Sequence, residues 1–185
     1  MINLFWRIIA KVLARPAIAD WLIARAKLTP YQHIMSADGT EMYMGRWWLF
    51  NPYSRETHKP VLWWFPWSFR IHHIMRPDED RDLHDHPWNA RTIILRGCYT
   101  EQRLLNHDDP ALRGLNVPAS AQATEYIDRQ PGDTAQLLHG EYHRIDKVFH
   151  EGVVTLFITS KWRGDWGFLV NGVKVPWRTY TGTDN

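Results

Sequence analysis

The sequence predicts a mainly β domain preceded by two N-terminal helices. Residues 1–30 carry apolar side chains at helical spacing, with few turn-forming residues among them. From about residue 40 the chain changes to short β-type runs separated by Gly, Pro, Asn and Asp. These runs follow one another closely and leave no room for alternating helices, so we expect a sandwich or barrel.

Residues 2–15 form the first predicted helix. Its polar residues recur every fourth position and form one narrow stripe on an otherwise apolar surface. They are Asn3, Arg7, Lys11 and Arg15. Pro16 can open a second helix at its first position, and Thr29-Pro30 ends that helix. We therefore predict a helical hairpin over residues 1–30 and a β-barrel domain over residues 40–180.

The charge of the hairpin allows two interpretations. Its basic residues outnumber its one acidic residue, Asp20. In the first interpretation, which we favour, the hairpin packs on the β domain. In the second, residues 2–27 lie as a basic amphipathic anchor on an anionic membrane surface. A secretory signal fits poorly because Arg7, Lys11 and Arg15 interrupt the apolar region.

Nine runs in the rest of the chain are predicted as strands. They are residues 61–65, 69–76, 91–100, 124–129, 133–139, 143–149, 153–161, 166–170 and 173–180. The stretch 105–123 is rich in Asn, Asp, Pro and Ala and is predicted as a surface excursion between two strands.

Composition excludes several classes of protein. The 185 residues are 44% hydrophobic and 23% charged, which argues against wholesale disorder. Cys98 is the only cysteine, so an internal disulfide framework and thiolate zinc sites are excluded and a cytoplasmic location is expected. Beyond residue 30 the acidic residues outnumber the basic ones. We therefore expect no nucleic-acid partner.

Histidines provide the densest chemical signal. His84 and His86 are two residues apart, so on an extended segment both imidazoles face the same side. His143 follows a Pro-Gly-Asp turn and a predicted strand. A third imidazole from a neighbouring strand would complete a metal site with open positions for a substrate.

The segment around the first two histidines resembles the first motif of the cupin superfamily. That motif places His-x-His before three or four residues, a Glu, about six residues and a Gly. Here His84 and His86 supply the pair, and with the longer gap Gly97 falls one position short of the closing glycine.

The later segment resembles the second cupin motif. Gly132 and Gly140-x-x-His143 match it, whereas Leu138 replaces its proline and Lys147 its final Asn. The resemblance covers about residues 60–162. It implies a single cupin-like barrel of the double-stranded β-helix, or jelly-roll, type. The string from His84 to Trp88 is also similar to small bacterial and phage-borne cupin-like proteins of unsettled function.

One residue departs from the cupin pattern. With a four-residue gap after His86, Arg91 stands where cupins place the glutamate ligand, and arginine cannot bind a metal. The resemblance therefore implies a site of three histidines, similar to that of thiol dioxygenases. Fe(II) is then the leading metal, with Zn, Mn, Ni and Cu as alternatives. Arg91 either faces inward with Ile93 and Leu95 to grip a substrate anion, or faces outward and pairs with acidic neighbours.

Several further residues are candidates for the site. Trp88 follows the histidine pair and is the best candidate for a substrate-binding wall. Tyr142 is a candidate proton donor, although strand alternation from His143 turns it away unless a bulge intervenes. His139 and His73 are candidate alternative ligands or hydrogen-bond partners of the ligands.

The leading functional hypothesis is a metal-dependent enzyme, specifically an iron oxygenase acting on a small anionic substrate. One alternative is a non-catalytic cupin module that binds a ligand or docks on membranes. Another is a sugar isomerase or epimerase with His86 or His143 as general base. A homodimer is a further expectation.

Overall fold

The computed structural model describes residues 2–29, 31–36, 38–54, 56–57, 59–105 and 123–183. Its elements are, in order, α1 (Ile2–Leu13), α2 (Pro16–Lys27), β1 (Ile34–Met35), β2 (Met42–Phe50), β3 (Ser68–Ile74), β4 (Trp88–Arg96), β5 (Tyr99–Leu104), β6 (Thr124–Arg129), β7 (Thr134–Leu137), β8 (His143–Val148), β9 (Val153–Trp162), β10 (Gly167–Val170), β11 (Val173–Pro176) and α3 (Trp177–Thr181). The predicted mainly β fold with two N-terminal helices is confirmed. Most of the predicted surface excursion, residues 106–122, lies outside the described residues.

The strands form two facing sheets. The larger sheet has the order β1-β2-β3-β9-β4-β7, the smaller one β6-β5-β8, and β10 pairs with β11 as a hairpin. All pairings in these sheets are antiparallel. Between the sheets, Ile74 and Ile94 of the larger one pack in one cluster with Tyr99 and Ile145 of the smaller one. The enclosed space is the interior of a barrel.

The two N-terminal helices cover the outer face of the larger sheet. Small side chains at Ala10, Ala19 and Ala26 are fully buried, which lets both helices approach the sheet closely. The sheet residues of the same cluster are apolar: Ile71, Ile93, Leu95, Leu156 and Ile158. Each such buried aliphatic side chain stabilises the fold by about 1.5–3 kcal/mol. No helix in the described part of the chain is both long and apolar enough to cross a membrane.

A tight turn divides one predicted strand into two. Residues 91–100 were expected to form a single strand, but β4 ends at Arg96 and β5 begins at Tyr99. Gly97 between them has φ 68°, and a Cβ there would lie 2.1 Å from the carbonyl oxygen of Gly152. Only glycine fits this left-handed position at such a close approach.

Three other predictions of secondary structure were wrong. Residues 61–65 form turns, because the Asn51 amide donates to the carbonyl oxygens of Phe65 and Trp67 at 3.2 and 2.9 Å. The run 173–180 changes from strand to helix α3 after Pro176. Strand β2 was not predicted at all, since its sequence MYMGRWWLF lacks alternation of apolar and polar residues.

Candidate metal centre

The structure brings the three predicted histidines together. His84 and His86 lie just before β4, and His143 begins β8. The main chains of His84 and His143 exchange two hydrogen bonds, of 2.9 and 3.0 Å, which fixes the two segments side by side. One ring nitrogen from each histidine lies within 4.8 Å of the others. Three imidazoles at this spacing can share one ion at about 2.1 Å from each nitrogen.

The closest pair of ring nitrogens tests whether a cation fits. Nε2 of His86 lies 2.8 Å from Nε2 of His143. Two nitrogen lone pairs at this distance repel each other unless a proton or a metal ion lies between them. One proton satisfies the pair as a hydrogen bond, and a divalent cation of the borderline class that imidazole binds would replace that proton.

Asp85, between the two histidines of the pair, faces the opposite way and anchors the segment. Its carboxylate is fully buried and accepts hydrogen bonds from the Gly167 N–H, at 2.8 Å, and from Nζ of Lys174, at 2.6 Å. Both partners belong to the β10–β11 hairpin. The alternation predicted for His84 and His86 is therefore held in place by the intervening carboxylate.

Glu101 of β5 orients the third histidine. Its fully buried carboxylate accepts a hydrogen bond of 2.9 Å from Nδ1 of His143, which leaves Nε2 to face the cluster. Arg103 and Arg129 also donate to this carboxylate, at 3.0 and 2.9 Å. Sequence reasoning gave Glu101 no role at the metal site. The sequence feature that could have identified it is a lone acidic residue at an inward position of a strand, on the same face as Tyr99.

Burial sets the charge states at the site. It lowers the pKa of His84 to about 4 and, together with the neighbouring His143, His84 and Arg70, lowers the pKa of His86 well below its ordinary range. Burial alone would raise the pKa of Glu101, but the bond from His143 and the two guanidinium groups hold it below its ordinary value. At neutral pH His84 and His86 are therefore uncharged, which is the form that binds metals.

Arg91 does not face the cluster, and the inward interpretation was wrong. Its guanidinium donates to Thr134 and to the side chain of Gln136, at 3.2 and 3.1 Å, and lies 4.9 Å from the ring of Trp6 in α1. Pairing with acidic neighbours, the other interpretation, is not observed among the described residues either. Arg91 shares the helix-covered face with Ile93.

The inward orientation was predicted for Arg91 because a four-residue gap was assumed after His86. The shorter, three-residue gap that the cupin motif also allows puts Ala90 at the position of the glutamate and Gly97 at the closing glycine. Ala90 is buried and packs with Trp88, Leu137 and Phe157 on the inward side. A methyl group thus occupies the place of the fourth ligand.

A different arginine, Arg70 of β3, lies in the interior. It is 2% exposed, and its guanidinium lies 4.8 Å from the ring of Trp88 and 5.3 Å from that of Phe157. Nη1 donates to the hydroxyl of Tyr53 at 3.3 Å, whereas Nε and Nη2 have no hydrogen-bond partner among the described residues. Its charge contributes to the lowered pKa of His86, so the two side chains lie within electrostatic range. Sequence reasoning missed Arg70.

The aromatic candidates occupy two different places. Trp88 stacks on His86 with ring centroids 6.2 Å apart, so it stands beside the cluster. Tyr142 makes no hydrogen bond to the three imidazoles in the described structure. Burial and the charge of Asp85, which faces away from the cluster, raise the pKa of Tyr142 to about 12.

The two secondary histidine candidates lie outside the cluster. Nδ1 of His139 lies 2.8 Å from the carbonyl oxygen of His86, a contact that supports the backbone of that residue. The ring of His73 contacts the carbonyl oxygen of Glu151 at 3.0 Å. Its neighbour His72 is the inward residue of the pair, and its ring stacks on Phe157 with centroids 4.8 Å apart.

Comparison with known proteins gives similarities among solved structures alone. No protein-family model matches the chain, and no curated protein matches it. A formate complex of the oxalate decarboxylase of Lactobacillus farciminis is 14% identical over 85% of this chain and 36% of its own, with a TM-score of 0.47. The DMSP lyase DddQ from Ruegeria pomeroyi DSS-3 is 16% identical over 88% and 68%, with a TM-score of 0.48. The chain thus spans about a third of the oxalate decarboxylase chain.

Proposed function

We propose that the protein is a metal-dependent cupin enzyme whose divalent ion is held by His84, His86 and His143. The observation that carries the proposal is the convergence of three imidazole nitrogens within 4.8 Å. Burial keeps two of these rings neutral, and Glu101 orients the third through Nδ1. Tyr142 remains a proposed proton donor.

The proposed reaction is an oxygenation, and Fe(II) is the proposed metal. When bound, Fe(II) supplies the redox chemistry of such a reaction, while Zn, Mn, Ni and Cu also suit an imidazole set. The chain's own contribution is to leave one side of the cluster free of a fourth ligand, because Ala90 offers a methyl group there. Trp88 and Phe157 pack beside His86 and present apolar rings to that side.

The proposed substrate is a small anion, and Arg70 takes the binding role that the sequence had assigned to Arg91. A buried guanidinium with two unpaired donors costs free energy unless an acceptor completes it. A carboxylate matches its fork of N–H groups. The guanidinium lies 4.8 Å from the ring of Trp88, which stacks on His86, so a carboxylate bound by Arg70 would lie near the cluster.

Metal content tests the proposed centre. The protein, purified without chelator or nickel resin, is expected to carry about one equivalent of divalent metal by elemental analysis. His86→Ala should abolish binding with the circular dichroism spectrum unchanged. His73→Ala is the matched control, since that ring lies outside the cluster. Equal metal in the wild type and His86→Ala would refute the site.

Acetate titration tests the role of Arg70. The NMR signals of arginine Nε–H groups should shift for Arg70, and Arg70→Lys should weaken acetate binding about tenfold, because a lysine cannot bind a carboxylate with two parallel N–H bonds. Arg91→Gln should leave this affinity unchanged. If only Arg91→Gln weakens acetate binding, the assignment to Arg70 is wrong.

One observation favours a second candidate, an accessory module at membranes. The solvent face of α1 carries a stripe of apolar residues that are 38–63% exposed: Leu4, Phe5, Ile8 and Val12. Arg7, Lys11 and Arg15 flank this stripe, as in helices that lie on anionic lipid. Ile8→Asp should abolish co-sedimentation with phosphatidylglycerol vesicles, whereas Val61→Asp, at an exposed residue elsewhere, should not. Absence of vesicle binding by the wild type removes this candidate.

A further inference from the structure

A polar cavity lies outside the histidine cluster, between α1 and the edges of the two sheets. Its volume is about 350 Å³. Four arginines from four different elements line it: Arg7 from α1, Arg91 from β4, Arg103 from β5 and Arg129 from β6. We call this cavity the arginine groove.

One buried carboxylate, that of Glu101, pairs with two of these four guanidinium groups, those of Arg103 and Arg129. Glu141 is the one acidic residue among the described lining residues, and its carboxylate accepts the Leu138 N–H at 2.8 Å. Arg91 is bound by neutral groups alone, and Arg7 makes no ion pair within the described part of the chain. Like charges brought together at a partly desolvated surface repel, so an anion in the groove is electrostatically favoured.

Two of the arginines converge on one residue. Arg91 donates to the side-chain oxygen of Gln136 at 3.1 Å, and Arg103 donates to its main-chain oxygen at 2.6 Å. Their guanidinium groups are therefore held at one position by a common neutral partner. Planar donors arranged in this way suit an oxyanion with several acceptor oxygens.

We propose that the arginine groove binds a small anion with at least two negative charges, of the phosphate-bearing class, and that its occupancy tightens metal binding at the histidine cluster. The groove is distinct from the interior that contains Arg70, because Arg91 lies on the helix-covered face of the larger sheet. Binding in the groove is independent of the proposed metal centre. Its effect on metal affinity rests on that centre.

Glu101 provides the physical connection between the two places. Arg103 and Arg129 bind its two carboxylate oxygens from the groove side, and His143 binds it from the cluster side at 2.9 Å. An anion that draws on the two guanidinium groups leaves more of the carboxylate's charge to act on His143. A more negative environment favours a cation at the other ring nitrogen, and by linkage the metal favours the anion equally.

Sulfate, a dianion that binds divalent metals weakly, serves as the probe for the groove. Titrated into metal-free protein, it should shift the Nε–H NMR signals of Arg91, Arg103 and Arg129. The double variant Arg7→Gln with Arg91→Gln should weaken sulfate binding about tenfold or more. Arg25→Gln, at an exposed position of α2, is the control. Unchanged binding in the double variant contradicts the proposal, and Arg7→Gln alone gives the same test if the double variant does not fold.

A lipid headgroup offers the same phosphate chemistry, so phosphatidylglycerol vesicles form a second arm. We expect Arg91→Gln to weaken sulfate binding and to leave vesicle binding unchanged. Vesicle binding that depends on Arg91 without any binding of sulfate would assign the groove to a membrane and reject a small-molecule ligand.

Metal affinity tests the connection through Glu101. The dissociation constant of Co²⁺ is measured against a chromophoric chelator, with sulfate or with chloride at equal ionic strength. Sulfate should tighten Co²⁺ binding about fivefold in the wild type and not in the double variant. An equal Co²⁺ affinity in both salts disproves the coupling. If no metal binds at all, the proposed metal-dependent function is refuted. The sulfate titration of the metal-free protein still tests whether the arginine groove binds an anion.

Discussion

Two surfaces of the barrel that lie only a few residues apart in the chain are both buried, but one is apolar and the other is charged. Ile93 and Leu95 of β4 are 0% and 1% exposed, and they pack against the N-terminal helices with no polar partner. Glu101 of β5 is also 0% exposed, yet it is charged and binds two arginines and a histidine. Equal burial therefore gives no indication of the chemistry that a surface serves.

The difference lies in what each surface requires of its residues. The apolar surface needs volume and shape, so it tolerates exchanges among aliphatic side chains of similar size. The charged surface needs every partner, because removing one leaves a buried charge uncompensated. The first surface contributes stability of the fold, and the second holds His143 in the orientation that the proposed metal centre requires.

A charge placed on the apolar surface should have the largest effect. Leu22 of α2 is 7% exposed and packs against the larger sheet, and Leu22→Asp should reduce the free energy of unfolding by more than about 4 kcal/mol, because its carboxylate finds no partner there. Leu4, which is 63% exposed, is the matched site. Leu4→Asp should stay within about 0.5 kcal/mol in urea denaturation. Equal losses from both variants would contradict the packing of the hairpin.

Lowering the pH should destabilise the fold through the buried histidines of the cluster. The pKa of His84 is about 4 in the fold and 6.5 in an ordinary environment, so the unfolded chain binds a proton that the folded chain does not. His84 should therefore contribute a loss of stability of roughly 3 kcal/mol to the metal-free protein as the pH falls from 6.5 to 4, and His86, whose pKa is also lowered, should add to that loss. Urea denaturation across this range measures it. His84→Gln should reduce the slope of stability against pH, and a slope equal to the wild type's would contradict the burial argument.

Neutralising the charged surface should weaken metal binding as well as the fold, because Arg103 and Arg129 also lose their counter-charge. Glu101→Gln keeps the shape of the side chain but removes the charge that orients His143, and metal affinity should drop about 10- to 100-fold. Ile93→Val is the matched change on the apolar surface, with a loss of about 0.5–1.5 kcal/mol in stability and none in metal affinity. Metal titration and urea denaturation of both variants measure the two effects, and reversed effects would contradict the assignment.

The smallest effect should come from a charged pair on the solvent side of the helices. Arg96 and Asp20 form an ion pair whose side chains are both about half exposed. Solvent screens such a pair, so Asp20→Asn should change the free energy of unfolding by less than about 1 kcal/mol. A larger loss in urea denaturation would show that charges on the helix side are as demanding as those around Glu101.

Sequence patterns predicted the parts of the molecule that follow local rules. Strands β3, β6 and β9 carry β-branched and aromatic residues between turn signals, and all three were predicted within a few residues. The pair His84 and His86 was placed on one side by alternation alone. The turn at Gly97 escaped prediction because two residues interrupt an otherwise continuous β pattern, and the need for glycine there comes from Gly152, far along the chain.

The missed site residues share a different cause. Whether Arg70 or Arg91 faces the interior depends on which sheet face the helices cover, and neither side chain's local sequence contains that information. A gap after His86 that is one residue too long assigns Arg91, in place of Ala90, to the inward position of the motif's glutamate. Glu101 was missed because its partners come from three other positions along the chain, Arg103, Arg129 and His143.

The anchoring of Asp85 has a consequence for the order in which the molecule folds. His86 and His143 are separated by 57 positions in the chain, and Asp85 and Lys174 by 89. Closing loops of this length costs more entropy than forming a hairpin such as β10–β11, and contacts across them form slowly. The metal cluster therefore belongs to the late stages of folding, and a chain interrupted before residue 174 lacks the lysine that holds the His84–His86 segment in place.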